Sequence, residues 1–264
     1  MDWTAEGLLL QTRPHGESAA IVTALTAEHG VHAGVVRGGT GRRMAPVLQP
    51  GALLHLTWRA RLHDHLGTFT AEPVRAHAAA LMADPDRLAA LSSACALAAF
   101  ALPEREPQPR LYPATMALFD RLARGAPWFG AYLAWERLLL EETGYGLDLT
   151  RCALSGATEG LALVSPRSGR AVTAEAAGGF APRLLPLPSL LADPEAEPAD
   201  PRAEMALGLE TTGHFLARVL APALGERPLP EARARLAARF VPEDGARWRA
   251  NQQEHDINRE NDRR

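Results

Sequence analysis

The sequence predicts an α+β protein in which a small β-barrel precedes a mainly α-helical domain. The first 78 residues contain five short runs rich in apolar and β-branched residues, separated by glycine and proline turn signals. From His77 onward, apolar residues recur three and four positions apart, which is the period of an amphipathic helix. A chain of 264 residues is long enough for two domains, each with a core of its own.

The predicted strands are short and evenly spaced, which favours a closed barrel of the OB-fold type. Closure removes most sheet edges, and the loops between strands are then free to hold a ligand. In the fourth run, Leu54, Leu56 and Trp58 share one face and are expected to point inward. The predicted strands are residues 8–12, 19–26, 31–37, 52–59 and 66–74.

The predicted helical part begins at His77, and Asp84 or Asp86 is the candidate N-cap within its first helix. Residues 147–180 are interpreted as an inserted β-hairpin, and residues 186–202, rich in Pro, Asp and Glu, as a linker. The predicted helices are residues 77–102, 111–124, 128–143, 204–220 and 231–240. The expected domains are a barrel at 1–78, a helical domain at 79–242 and a polar, disordered tail at 243–264.

All 28 basic residues are arginine, because the chain contains no lysine. Functions that need a P-loop lysine, a Schiff-base lysine or a kinase lysine are therefore excluded. Two cysteines, Cys95 and Cys152, are too few for a disulfide framework, which indicates a reducing, cytoplasmic compartment. The first residues do not resemble a secretory signal, and no apolar run approaches the roughly 20 residues that span a bilayer.

One window of the sequence is strongly basic, although the formal net charge of the chain is −3. Residues 29–63 contain no Asp or Glu, and Gly38, Gly39 and Gly41 permit a sharp turn among the arginines. Arginine carries a fixed positive charge and also stacks on bases. We therefore expect this window to bind a nucleic-acid backbone. The candidate residues are Arg37, Arg42, Arg43, Arg59 and Arg61.

Interpretations of the same residues without a binding function are also open. The window can be a solvated hairpin whose arginines only keep the protein soluble, and Trp58 can fill the core rather than stack on a base. His63, Asp64 and His65 include metal-binding residue types, but such a triplet usually forms a turn and no third ligand is identifiable. Since no hydrolase motif such as G-x-S-x-G or H-E-x-x-H occurs, no catalytic residue, metal site or cofactor is expected.

Four stretches of the sequence carry a family resemblance: EGLLLQTRPHGESAAIVTALTAEHGVHAGVVRGG, LQPG, WRARLHDHLGTF and LDLTRCALSGATEGLALVSPRSGRAV. Together they resemble the RecO family of DNA recombination mediator proteins, over most of residues 1–240. The resemblance implies an N-terminal OB-fold, a helical C-terminal domain and no catalysed covalent chemistry. It also implies binding of single- and double-stranded DNA and annealing of strands coated by single-stranded DNA-binding protein. With RecR, in the RecFOR pathway, such cytoplasmic, nucleoid-associated proteins assist the loading of RecA.

The chain departs from the family where many RecO-like proteins carry four cysteines in two C-x-x-C pairs. The corresponding positions here are Cys152 with Ser155, and Thr173 with Ala176. One thiolate beside serine, threonine and alanine does not make a tetrahedral zinc site. We therefore expect a degenerate, zinc-finger-like hairpin that is held by hydrogen bonds and packing, with Cys152 as a small buried hydrophobe.

The resemblance also suggests a protein partner for the helical domain. Aromatic residues crowd its predicted second and third helices, and one or two exposed members could line a groove for the tail of single-stranded DNA-binding protein. That tail is acidic and ends in a carboxylate, so the groove also needs a nearby arginine. The candidate partner-binding residues are Arg121, Arg124, Arg137, Trp128 and Phe129.

Two other functions stay open, because a fold does not by itself fix a function. One is an OB-fold adaptor that binds RNA or another protein and does not anneal DNA strands. The other is a hydrolase with a site between the two domains. Annealing activity, RNA binding and turnover of a nucleotide or an ester distinguish the three functions.

Overall fold

The chain begins with five strands that close into a barrel. The computed structural model describes residues 1–62, 65–225 and 227–241. Its first strands are β1 (Asp2–His15), β2 (Ala19–Thr26), β3 (Gly30–Val36), β4 (Ala52–Arg59) and β5 (Thr68–Ala76). They pair in the order β1-β2-β3-β5-β4, and β4 returns to pair with β1. The prediction of five strands ahead of the helices is confirmed.

The barrel is closed by a short seam between β3 and β5. This pairing is parallel and joins only Val35 with Thr68 and Val36 with Phe69, whereas every other pairing in the barrel is antiparallel and longer. The interior is filled by Leu54, Leu56, Trp58 and other apolar side chains from all five strands. The inward face predicted for β4 is therefore confirmed.

Strand β1 is much longer than the predicted residues 8–12. Its first half pairs with β4 and its second half with β2, and a register shift between Leu9 and Gln11 separates the two halves. The prediction is centred on the apolar run at Leu8–Leu10 and extends only two residues beyond it. Residues 2–6 instead alternate between exposed and half-buried side chains, a weaker pattern that is also typical of a strand.

The rest of the described chain is mainly helical, as predicted. Asp84 is the N-cap of the second helix, since its carboxylate accepts hydrogen bonds from the backbone N–H groups of Asp86 and Arg87 at 3.2 and 3.1 Å. The helices are α1 (His77–Ala80), α2 (Pro85–Ala101), α3 (Leu111–Ala123), α4 (Phe129–Glu142), α5 (Ala174–Ala177), α6 (Ser189–Ala192), α7 (Pro201–Phe215), α8 (Ala221–Ala223) and α9 (Glu231–Ala238). In the part of the chain that the structure describes, no helix combines the length and apolarity needed to cross a membrane.

The insert between α4 and α7 holds a three-stranded sheet rather than a hairpin alone. Strands β6 (Leu161–Val164) and β7 (Ala171–Thr173) form the predicted hairpin, and β8 (Leu185–Pro186) adds a third strand beside β6. The prediction of a linker at 186–202 is wrong, because Leu187, Leu190 and Leu191 are buried in the helical core. The high Pro, Asp and Glu content of the segment led to the linker prediction, although the segment also contains these three buried leucines. The predicted tail at 243–264 lies outside the described residues.

The barrel and the helices share one apolar core along the outer surface of β1, β2 and β3. Leu8, Leu25 and Val31, which pair in register across these strands, pack in the same cluster as the side chains of α2. The helical part therefore covers one end of the outer barrel surface and leaves the other end in solvent. The domain boundary between residues 78 and 79 stays a prediction.

A buried ion pair joins three helices of the helical part. Arg233 on α9 binds the Glu136 carboxylate on α4, and both side chains are almost fully buried. Thr212 on α7 and the Tyr132 hydroxyl donate hydrogen bonds to the same carboxylate. Burial is the main cause that raises the pKa of Tyr132, and the Glu136 charge raises it further. These groups satisfy one another, as buried charges must.

Candidate nucleic-acid interface

All five candidate arginines of the barrel are exposed to solvent. Among residues 1–62, 65–225 and 227–241, none of the five forms an ion pair with a carboxylate. Arg37, Arg42 and Arg43 follow β3, whereas Arg59 ends β4 and Arg61 lies two residues beyond it. Their charges are therefore available to a ligand.

Register places Arg37 and Arg59 on either side of the start of β5. Val35, Thr68 and Arg59 lie directly opposite one another across β3, β5 and β4. Arg37 lies two residues after Val35, just beyond the end of β3, and is exposed. The β3–β5 seam thus brings together two arginines that are 22 positions apart in the sequence.

The glycine turn after β3 folds back onto the β1–β2 turn. The Thr40 N–H donates a hydrogen bond to the Ser18 carbonyl at 3.1 Å. Gly38 has a φ of +67°, and a Cβ at Gly39 would lie 2.7 Å from the Cβ of Ala20, so both positions favour glycine. The turn holds Arg42 and Arg43, which follow it, at this end of the barrel.

The outer surface that the helices leave uncovered forms a curved, acid-free strip, which we call the open face. Two complete rows build it, Gln11–Thr23–Ala33 and Arg13–Ile21–Val35, and His15 pairs with Ala19 next to them. Strand β2 thus separates Arg13 on β1 from Arg37, which follows β3. From Arg13 on β1 to Val35 on β3 the open face spans two strand spacings, or about 10 Å. The open face consists of Gln11, Arg13, His15, Ala19, Ile21, Thr23, Ala33, Val35 and Arg37.

Acidic residues border the open face without lying within it. Asp2 is paired in register with Arg59, and Glu6 and Glu72 lie on either side of His55. Glu17 is exposed in the β1–β2 turn. The acid-free window of the sequence is thus only partly acid-free in space, because β1 and β5 bring carboxylates beside β4. A polyanion is favoured across β1, β2 and β3 more than across β4.

Trp58 is a core residue. It is 1 % exposed, and its indole Nε1–H donates a hydrogen bond to the Leu66 carbonyl at 3.1 Å. The packing interpretation of this side chain is the correct one. His55 and Arg59, its neighbours on the other face of β4, are exposed as the alternation predicts.

The three candidate partner-binding arginines of the helical part already have hydrogen-bond or ion-pair partners within the protein. Arg121 binds both carboxylate oxygens of Glu195, at 2.9 and 3.2 Å. Arg124 lies 3.6 Å from the Asp120 carboxylate, and Arg137 donates to the Leu191 carbonyl at 3.0 Å. Arg121 binds another carboxylate in the same way only by displacing Glu195, whereas the Arg124 side chain is 77% exposed.

The two candidate aromatic residues belong to a cluster of rings. Trp128 is 5 % exposed, and Phe129 is half-buried against it and against Phe240. The Arg202 guanidinium lies 4.5 Å above the Phe240 ring. Only Phe129 of the two therefore offers surface to a partner.

The degenerate C-x-x-C positions are adjacent in space. The Cys152 sulfur accepts hydrogen bonds from the N–H groups of Ser155 and Thr173, both at 3.4 Å, and lies 3.7 Å from the Thr173 hydroxyl. Hydrogen bonds from Ser155, and then from Thr173, lower the pKa of the Cys152 thiol to about 6. This residue set does not fit zinc, since one sulfur is its only strong ligand. Elsewhere within the described ranges, no three His, Cys, Asp or Glu side chains form a metal-binding group. His63 and Asp64 lie outside those ranges.

Two groups of residues have no counterpart among the sequence predictions. Arg13 and His15 lie outside the basic window, and the β1–β2 and β2–β3 pairings place them on the same outer surface as Val35. An alternating pattern after the apolar run could have extended β1 to include them. Arg105, which contacts the barrel from the helical side, carries no signal in the sequence at all.

Comparison with known proteins assigns both halves of the chain to one family. The family model described as Recombination protein O N terminal matches residues 1–77, and Recombination protein O C terminal matches residues 82–228. A DNA repair protein RecO from Dinoroseobacter shibae is 56% identical over 235 residues, which are 89% of this chain and 96% of that protein. A DNA repair protein RecO from Roseobacter denitrificans is 55% identical over 240 residues, 91% of this chain and 98% of that protein. With both family models matched in order and relatives aligned over nearly their whole length, the chain belongs to the RecO family.

Proposed function

We propose that this protein binds single- and double-stranded DNA along the open face and its neighbouring arginines, and that it anneals strands coated by single-stranded DNA-binding protein. Membership of the RecO family supports the coarser statement that it acts in DNA repair and recombination. With RecR, it assists the loading of RecA onto coated DNA. The protein works by binding rather than by catalysed covalent chemistry, in the cytoplasm and at the nucleoid.

One observation carries the proposal: the barrel arginines are exposed and, within the described residues, none of them pairs with a carboxylate, beside a surface that carries no acidic side chain. Guanidinium groups of this kind neutralise phosphates, and a flexible single strand can follow the curved surface of β1, β2 and β3. OB-folds bind about 4–16 nucleotides of single-stranded DNA. Double-stranded DNA presents the same phosphates but bends less easily around a small barrel.

Annealing tests the proposal directly. Complementary oligonucleotides are coated with the cognate single-stranded DNA-binding protein, and duplex formation is followed with and without RecR. We expect the native protein to accelerate annealing, and the triple variant Arg37→Ala, Arg42→Ala, Arg43→Ala to lose most of this acceleration. Tight RNA binding without annealing would instead support an adaptor, and turnover of a nucleotide or an ester would support an enzyme.

For the protein partner, we propose that the acidic tail of single-stranded DNA-binding protein binds beside Arg121 and Phe129. The Glu195 carboxylate binds the Arg121 guanidinium in the way that a carboxylate of the partner would bind it. The Glu195 side chain is 71% exposed. An incoming acidic tail can therefore displace it at low cost, since exposed ion pairs contribute only about 0–1 kcal/mol.

This partner site makes a directional prediction. Glu195→Gln frees Arg121 and should tighten binding of an acidic tail peptide about two- to fivefold, because the competing exposed pair is worth up to about 1 kcal/mol. Fluorescence anisotropy of the labelled peptide measures the change. Glu197→Gln is the matched control, with the same change of charge two residues away. Equal affinities for both variants and the native protein would place the tail elsewhere.

A further inference from the structure

The connection between α2 and α3, residues 102–110, crosses onto the barrel, and we call it the strap. The Glu104 backbone forms an isolated bridge with Val31 of β3, and the Arg105 N–H donates a hydrogen bond to the Val31 carbonyl at 2.7 Å. Gly30 lies directly beneath the strap, since a Cβ at that position would lie 2.0 Å from the Glu106 carbonyl oxygen. The helical part therefore contacts the barrel through backbone as well as through the shared core.

Arg105 has an unusual backbone conformation within this strap. Its φ is +63°, and among the residues that the structure describes no other non-glycine residue has a positive φ. Such a conformation is costly for a side chain with a Cβ, and it persists only where the surroundings impose it. Here it directs the guanidinium towards the barrel, 6.0 Å above the Trp58 ring.

The guanidinium holds the segment that leads into β5. Three successive carbonyls of this segment each accept a hydrogen bond from a different element. Arg105 donates to His65 at 3.0 Å, the Trp58 indole donates to Leu66 at 3.1 Å, and the Val35 N–H donates to Gly67 at 3.1 Å. Two of the three donors belong to the barrel itself, and Arg105 is the donor that comes from the helical part.

This segment immediately precedes the β3–β5 seam. Because the seam joins only two residue pairs, it depends on neighbouring contacts for its position. It also sets the spacing between Arg37 and Arg59, which lie on either side of it. We propose that Arg105 is a positioning residue for DNA binding: the strap of the helical part fixes the seam, and the seam fixes the barrel arginines. The inference rests on the proposed DNA-binding function.

Arg105→Gly removes the guanidinium and introduces a residue that adopts a positive φ at no cost. Arg105→Asn also removes the guanidinium, and asparagine accepts a positive φ with a less flexible backbone than glycine. Arg110→Ala is the matched control, since Arg110 is on the same strap but pairs with Glu141 and Glu142, away from the barrel. We expect both Arg105 variants to bind an oligo(dT) 15-mer about three- to tenfold more weakly, and the control to bind normally. The Val35 amide hydrogen should also exchange faster in the Arg105 variants, without any DNA present.

Salt dependence separates positioning from direct contact. If Arg105 positions the seam, log K against log salt keeps the native slope, and Arg59→Ala costs less in the Arg105→Gly background than alone. If the slope falls by about 0.7 with additive losses, Arg105 contacts a phosphate itself and the proposal is wrong. Native DNA affinity together with a native rate of Val35 amide exchange in both Arg105 variants would also overturn the positioning proposal. The proposed DNA-binding function would still stand in that case if the Arg37, Arg42, Arg43 triple variant loses binding. Absence of DNA binding by the native protein contradicts both.

Discussion

The candidate arginines of the barrel differ from five arginines of the helical part in their pairing with carboxylates. In the barrel, the candidate arginines are exposed and unpaired within the described residues. In the helical part, Arg110, Arg121, Arg202, Arg233 and Arg239 each bind a carboxylate. Arg75 on β5 belongs with the paired group although it lies in the barrel, since it binds Asp120 of α3. In a chain without lysine, pairing with carboxylates is thus the feature that distinguishes the candidate arginines from these six.

The largest expected effect sharpens the structural side of this comparison. Arg233→Ala leaves the Glu136 carboxylate buried without its partner, and should lower the free energy of unfolding by about 3–5 kcal/mol. Urea denaturation measures the loss. The control is Arg235→Ala, two positions along α9, whose exposed pair with Glu231 is worth at most about 0.5 kcal/mol. Similar losses for the two variants would contradict the distinction between buried and exposed pairs.

A smaller effect tests the functional side at a position outside the basic window. Arg13→Ala should reduce the steepness of log K against log salt for single-stranded DNA by about 0.7, the change expected for one lost phosphate contact. Gln11→Ala, on the same strand and the same face, should leave the slope unchanged. If the Arg13 variant keeps the native slope, the open face does not extend to β1.

The smallest effect concerns Cys152, which lies in the insert between α4 and α7. The pKa of the Cys152 thiol is about 6 in the folded protein, below its ordinary value of 9.0. A lowered folded-state pKa stabilises the protein as the pH rises from 6 towards 9, and that stabilisation is lost as the pH falls through 6. The stability difference between native protein and Cys152→Ala should therefore grow over this interval.

Thermal unfolding at several pH values measures this difference. Cys95→Ala is the control, because burial raises the pKa of the Cys95 thiol to about 12 and this thiol stays protonated over the same interval. A pH-independent difference for Cys152→Ala would mean that the thiolate contributes nothing to the folded insert.

The strands and most helices could be predicted because their signals are local. Alternation fixed the inward face of β4, and the Asp84 cap follows from side-chain chemistry within three residues. The open face could not be predicted, since Arg13 and Val35 come to lie in one row only through strand pairing. The borders of the basic surface depend likewise on Asp2 and Glu72, which only the sheet register brings beside β4. Long-range register is the information that a local pattern lacks.

The burial of Leu190 and the contact of Arg105 with the barrel could not be predicted for the same reason. Leu190 sits in a segment whose composition is typical of a linker, yet three neighbouring leucines there reach the helical core. Arg105 lies between two acids in a proline-rich connection, where nothing in the sequence indicates a positive φ or a contact with β3. Both roles arise from tertiary packing alone.

The salt dependence of single-stranded DNA binding tests the central claim most directly. The native protein is compared with two triple variants of equal net charge: the barrel triple Arg37→Ala, Arg42→Ala, Arg43→Ala, and the helical triple Arg121→Ala, Arg124→Ala, Arg235→Ala as the charge-matched control. We predict a native slope of log K against log salt of about −3 to −4, a slope about 2 shallower for the barrel triple, and the native slope for the helical triple. Equal slopes for the two triples would contradict the claim that unpaired barrel arginines bind the DNA backbone.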